Sequence, residues 1–258
     1  MPRNVKYDLL YWKDINGRGE VIKAIFALAN VDYTYTDVQL ADWLAVKATT
    51  PLGHVPVLRI IDADTGETLD QLAESGAIER WLAKHFGVLN LPALDSDAAH
   101  NSAANNSADA AHNDADLDTP SSKLDTQLAK LEAIRADIEF ASNRFWEYHN
   151  PLNGCDQSDR ARDNLASTFQ SLVTHHERIL AANSSDGAGN GHYFGTKITT
   201  ADLALVNLVK YARHIRNADA FEPDSAPLIN KVVDAVTASP ELRDYYIDFD
   251  ARLAQRTF

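Results

Sequence analysis

The chain reads as an α/β layer domain of order βαβαββα followed by an all-α domain. Three observations carry this reading. Strand and helix signals alternate up to about residue 90, every signal after Ser122 is helical, and a stretch rich in Asp, Ala, Asn, Ser and His lies between. The expected domains are 1–90 and 123–258, joined by a flexible acidic insert at 91–122.

The elements follow in order. Tyr7-Asp8-Leu9-Leu10-Tyr11-Trp12 is strand-like. Gly17-Arg18-Gly19-Glu20 then opens a helix with Val21, Ile22, Ile25, Phe26 and Leu28 on its apolar side. Tyr33 to Thr36 is β-prone, and a short helical signal runs from Trp43 to Val46. Val57 to Ile61 is a third strand, turned by Asp64-Thr65-Gly66-Glu67 into a fourth at Thr68 to Leu72. Ser75 to Phe86 is helical and Gly87 ends it.

Between Leu94 and Leu124 only Leu117 is large and apolar, too little to offset the entropy of ordering. Its two histidines, His100 and His112, have nothing to fix a metal-ligand geometry, so no metal is expected. Beyond it, Leu124, Leu128, Leu131, Ile134, Ile138, Ala141 and Phe145 form one amphipathic stripe. Leu165, Phe169, Leu172, His176 and Ile179 form a second, and Asp202 to Ala212 is apolar nearly all round, as a central helix should be. Thr199-Thr200-Ala201-Asp202 has capping-box spacing, with Ile198 and Leu203 placed as a staple. That position explains Asp202 as architecture rather than catalysis. Pro227 and Pro240 open later helices.

Composition narrows the function. The formal charge is −13, which argues against nucleic acid and anionic membrane surfaces. Six of those charges are aspartates at 95–118. A single cysteine, Cys155, excludes an internal disulfide and fits a reducing, cytoplasmic setting. The N-terminus runs straight into a strand, with no apolar leader or membrane span expected.

Two stretches describe a binding pocket. Thr50-Pro51-Leu52-Gly53-His54-Val55-Pro56-Val57-Leu58 places a proline where a strand begins, and Glu74-Ser75-Gly76-Ala77-Ile78 opens a helix with a polar pair. A helix N-terminus favours an anion, so the pair suits the zwitterionic end of a small peptide. These two stretches join Tyr11 near the end of the first strand, Gly17-Arg18-Gly19-Glu20, and Ile198-Thr199-Thr200-Ala201-Asp202-Leu203 in a fixed order. With these motifs the chain resembles a cytosolic glutathione S-transferase of the tyrosine type, nearest to the sigma class. The resemblance spans nearly everything except the insert. It implies a thioredoxin-like first domain, a homodimer, glutathione as co-substrate with no other cofactor, and a role in detoxification.

The resemblance also distributes roles. Tyr11 is the catalytic donor, steadying the glutathione thiolate by a hydrogen bond from a neutral phenol. Tyr7, Leu9 and Tyr11 share a strand face, so alternation alone does not separate the two tyrosines; the family position favours Tyr11. Ser75 takes the γ-glutamyl carboxylate and Glu74 the ammonium. The Val55-Pro56 bond is cis, and the Val55 backbone pairs with the cysteinyl unit. Trp43 and Lys47 hold the glycine carboxylate. His54, also a glutathione-binding candidate, stands where relatives carry glutamine, and its ring nitrogen can donate at the glycine end. Arg18 either lies near the sulfur or pairs with Glu20. Trp12, the loop at 13–16, Phe145, Trp146 and Tyr148 are candidates for the electrophile wall, although Phe145 also extends the core stripe. Asp137 lies roughly where some relatives send an acid across a dimer interface. Departures are Glu74 in place of the usual glutamine, a longer loop after Tyr11, and the insert. The implied activity is conjugation of the thiolate to small hydrophobic electrophiles. A glutathione-dependent isomerase or peroxidase, and a non-catalytic glutathione-binding relative, are the alternatives.

Overall fold

Leu9 and Leu10 are adjacent, and both are buried. That marks a strand covered on both faces rather than one with a wet side. The computed structural model describes residues 4–13, 17–92, 120–149, 158–183, 189–215 and 219–255. It places this strand, β1 (Val5–Trp12), inside a four-stranded sheet of order β2-β1-β3-β4. β2 (Thr34–Val38) runs parallel to β1, while β3 (Val57–Asp62) and β4 (Thr68–Ala73) add antiparallel strands. Leu10 sits opposite Thr36 on one side and Val57 on the other.

The sheet is covered by α1 (Gly19–Ala29) and α3 (Ser75–His85), which pack together. α1 ends at Asn30 in the left-handed region, φ 51°, where a short polar side chain is tolerated. Leu10, Val38 and Val57 form an apolar cluster joined by Trp12, Val55 and two residues of a short helix, α2 (Trp43–Lys47). The observed strand and helix order is the expected βαβαββα.

The second compact unit runs from Asn90 to Ala238. Its helices are α4 (Pro120–His149), α5 (Asp159–Ala182), α6 (Thr200–His214) and α7 (Pro227–Ala238). α6 is buried on nearly every side, as its composition predicts. Its capping box forms: the Asp202 carboxylate accepts the Thr199 amide at 2.7 Å, the Thr199 hydroxyl at 2.7 Å and the Tyr193 amide at 2.9 Å. In the second stripe Leu180 is fully buried while Ile179 is not.

Two boundaries differ from the sequence reading. α4 begins at Pro120, inside the assigned insert, because a proline suits a first helical turn. Leu91, at the other edge of the insert, is buried. The larger difference is at the C-terminus. Residues Ser239–Gln255 belong to the first compact unit, not to the helical domain. They carry α8 (Arg243–Ala254), which starts three residues after Pro240. Residues 93–119 of the insert with His100 and His112, the loop residues Asp14, Ile15 and Asn16, and Cys155 lie outside the described residues. Among the described residues no helix is long and apolar enough to cross a membrane.

Candidate active site

β1, α1 and α3 bring the candidate residues of the first unit together. Tyr11 is nearly the last residue of β1, with 4% of its surface exposed. Its ring lies against Gly19, where an added Cβ would stand 2.9 Å from the ring. Its hydroxyl oxygen accepts the Arg18 amide at 3.0 Å. A phenol has one proton to give, and here that proton is not spent on Arg18. Burial pushes the hydroxyl up to about 12, so it stays protonated at neutral pH. The group is a neutral donor presented beside a helix start.

Tyr7 is different. Its hydroxyl meets His85 Nε2 at 3.0 Å, and its ring packs on Phe26, Trp81 and Phe86. The two tyrosines that the strand period leaves equivalent are thus separated by their partners.

The peptide between Val55 and Pro56 is cis, as expected. It leads into β3. Glu74 has φ 70°, in the left-handed region that non-glycine residues rarely adopt. Such strain persists where surrounding structure imposes it, often at ligand clamps. Ser75 is not the cap of α3. Glu74 is the cap residue, and Ser75 is the first helical residue, buried at the N-terminus. Ile78 is the first α3 amide to bond back, to the Glu74 carbonyl at 2.9 Å. The amides of Ser75, Gly76 and Ala77 precede it, and Gly76 faces open space where a Cβ would be. An anion there gains about 0.3–1 kcal/mol from the helix dipole, more when partly buried.

Glu74 has a partner of its own. His54 Nε2 stands 3.0 Å from Glu74 Oε1, with both side chains about half exposed. On α2, Trp43 packs on Trp12 with ring centroids 4.7 Å apart. Lys47 is exposed, and its stem passes over Gly53, where an added Cβ would lie 3.3 Å from Lys47 Cε. Trp43, Lys47, His54 and Glu74 therefore flank the loop that leads into Pro56.

The partners of Glu20 and the place of Phe145 add to the sequence reading. Glu20, which the sequence offers as one of two roles for Arg18, is held by Lys23 at 2.8 Å, Tyr245 at 2.9 Å and Arg252 at 3.0 Å. Sequence reading missed this set, because Tyr245 and Arg252 lie more than two hundred positions away. Phe145 is completely buried in the second unit, against Trp146, Phe169 and Tyr211, so it is core and not a wall residue. Trp146 and Tyr148 are half-buried in the second unit. Asp137 is engaged within its own unit, 3.1 Å from Nε2 of buried His176, whose other ring nitrogen meets the Tyr193 hydroxyl.

A strand–helix layer with a cis-proline loop, a helix N-terminus and a phenol at a strand end defines a thioredoxin-like domain. The comparisons place the chain more closely. Residues 143–247 match the model of the glutathione S-transferase C-terminal domain. Probable glutathione S-transferase 6 of Caenorhabditis elegans is 28% identical over 211 residues, 78% of this chain and 77% of that protein. Probable glutathione S-transferase 8 of the same organism is 37% identical over 105 residues, 41% of this chain. There the match spans about half of the relative's length, 47%. The solved sigma-class glutathione S-transferase of Fasciola hepatica superposes with a TM-score of 0.68 at 19% identity, covering 95% of this chain and 96% of that one. Over these spans the chain is similar to glutathione S-transferases, and its fold is theirs.

Proposed function

We propose that this protein is a glutathione transferase of the tyrosine type, nearest to the sigma class, that conjugates glutathione to small hydrophobic electrophiles. It acts as a homodimer in the cytoplasm, in detoxification. The observation that carries the reading is the Tyr11 hydroxyl, protonated, buried and holding the Arg18 amide while its own proton stays available.

Glutathione binds along the first unit. The α3 amides and Ser75 take its γ-glutamyl carboxylate, and Glu74 takes the ammonium. The Val55 backbone, ahead of Pro56, pairs with the cysteinyl unit. Trp43 and Lys47 hold the glycine carboxylate, and Arg18 adds positive charge near the sulfur. A free thiol titrates near about 8.5, so only a few per cent is nucleophilic at neutral pH. Lowering that by two units takes about 2.7 kcal/mol of selective thiolate stabilisation. A hydrogen bond from a neutral donor to an anion in a buried site is of this size. The thiol proton leaves to solvent, the sulfur attacks the electrophilic carbon, the new C–S bond forms, and the leaving group departs with its electron pair. Trp12 supplies apolar surface to the electrophile.

The test measures retention on glutathione resin and conjugation of chlorodinitrobenzene, with Tyr11→Phe beside the parent. Retention with turnover, and at least a tenfold loss in Tyr11→Phe at pH 6.5, is the expected result. Retention without turnover identifies a binding protein. Regeneration of free glutathione with a rearranged substrate identifies an isomerase.

A further inference from the structure

Three consecutive residues at the start of α1 face three different ways. The Arg18 amide holds the Tyr11 oxygen, Gly19 abuts the Tyr11 ring, and Glu20 turns back to α8. The turn is closed by the Glu20 amide on the Gly17 carbonyl at 3.0 Å. Glu20 is wholly buried, yet its carboxylate is well supplied with donors. Arg252 reaches it with both terminal nitrogens, at 3.1 Å to Oε1 and 3.0 Å to Oε2. A two-pronged guanidinium contact fixes direction as well as distance. Lys23 adds a bond at 2.8 Å, and the Tyr245 hydroxyl reaches both Oε2 and the Glu20 carbonyl at 2.9 Å. Arg252 is itself aimed by Asp248, which accepts its Nε at 2.8 Å.

We propose that Arg252, acting through Glu20, is a positioning residue for Tyr11: α8 clamps the first turn of α1, so that the Arg18 amide and the Gly19 face hold the phenol on the glutathione sulfur. The inference rests on the reading of Tyr11 as thiolate donor and extends it to a helix remote in sequence. A buried carboxylate with one of its cations removed must shift, recruit water or take a proton. A shift moves Glu20, and with it the two residues that touch Tyr11, while a carboxylate that stays ionised keeps its charge. The charge balance points the same way. Glu20 faces Lys23 on its own helix, Arg18 before it, Tyr11 on β1, Tyr35 on β2, Tyr33 before β2, and Tyr245, Asp248 and Arg252 on α8. Losing the Arg252 cation leaves Glu20 less neutralised. That extra negative potential opposes a nearby thiolate.

The experiment titrates the ultraviolet mercaptide band of the glutathione complex in Arg252→Met, Arg252→Lys, Tyr245→Phe and Tyr11→Phe, each in the full chain, with the pH profile of kcat/KM alongside. Arg252→Met is expected to shift the bound thiol toward alkaline pH by about 0.5–1 unit. That lowers kcat/KM at pH 6.5 about 3- to 10-fold, with little change in the glutathione KM. Arg252→Lys keeps the charge without the fork and recovers part of the shift. Tyr245→Phe removes one hydroxyl, shifts the titration less in the same direction, and serves where Arg252→Met does not fold. A shift in Tyr11→Phe with wild-type titration in Arg252→Met, or in Tyr245→Phe where Arg252→Met is unfolded, overturns the clamp alone. No shift in Tyr11→Phe overturns the donor assignment and the clamp with it.

Discussion

Gly19→Ala is the sharpest perturbation available to this site. A Cβ built at Gly19 stands 2.9 Å from Tyr11 Cδ1 and 3.2 Å from Cε1 and Cγ. Ordinary contact begins at 3.4 Å, so the ring or the helix start must yield by about 0.5 Å. The ring has little room, being buried and tied at its oxygen to the residue before Gly19. Overpacking of this kind costs about 1–3 kcal/mol. Alanine returns about 1 kcal/mol of that through helix propensity. The net effect on stability is about 0–2 kcal/mol, a modest fall in urea midpoint. The effect on turnover is larger. A misplacement of about 1 Å costs on the order of 100-fold, so half that distance costs about tenfold. The assay compares chlorodinitrobenzene conjugation and the mercaptide titration of the bound tripeptide with the unfolding midpoint. Full turnover and an unmoved titration in a folded Gly19→Ala protein would refute the claim that this helix face positions the phenol.

Phe145→Ala is expected to cost about 3–5 kcal/mol in urea unfolding, the range for a buried aromatic, without altering electrophile preference in the folded protein. His149 and His176 both bind a proton more readily unfolded: burial lowers each, to about 4 for His149, and Asp137 partly opposes the shift at His176. Their contribution to stability is therefore complete above the ordinary histidine value of about 6.5 and is lost as pH falls toward about 4. Unfolding midpoints measured across that window should drop with acid, less steeply in His149→Phe. The His54–Glu74 pair is half exposed, so it is worth about 0–1 kcal/mol. His54→Ala should change the glutathione KM by less than about fivefold with kcat kept, and a tenfold rise would mean that His54 touches the tripeptide itself.

Much of this fold was legible because the signals were local. Gly66 in its turn, the Asp202 capping box and the strand runs each act within a few residues, and the elements appear where those signals stand. The cis Val55-Pro56 bond and the helix start at Glu74-Ser75 were legible for the same reason, since both act through backbone and a helix end. What was not legible depends on distance in sequence. Nothing near Glu20 announces that its partners are Tyr245 and Arg252, and nothing in α8 announces that it joins the first unit. Helical periodicity assigns a face but not a neighbour. Phe145 shows the complementary limit. Its place in the stripe and its place beside Trp146 supported two roles, and only burial decided for the core.

The two tyrosines of β1 show how a single site comes to differ from its own repeat. Tyr7 and Tyr11 lie on one face, four residues apart, and are chemically identical. Tyr7 meets a histidine at the far end of α3, where its hydroxyl is absorbed into a stack of Phe26, Trp81, His85 and Phe86. Tyr11 meets the start of α1, where the chain offers an amide and a glycine. An amide donates and cannot accept through its hydrogen, so it occupies the phenol's lone pair and leaves the proton. At Tyr7 the imidazole nitrogen takes the phenol proton in one ring tautomer and donates to its oxygen in the other, and in both the hydroxyl is paired with His85 inside the aromatic stack. Donor capacity at one end of the strand and structural pairing at the other therefore follow from which helix terminus each residue reaches. The turn closed by the Glu20 amide on the Gly17 carbonyl presents that amide and glycine to Tyr11.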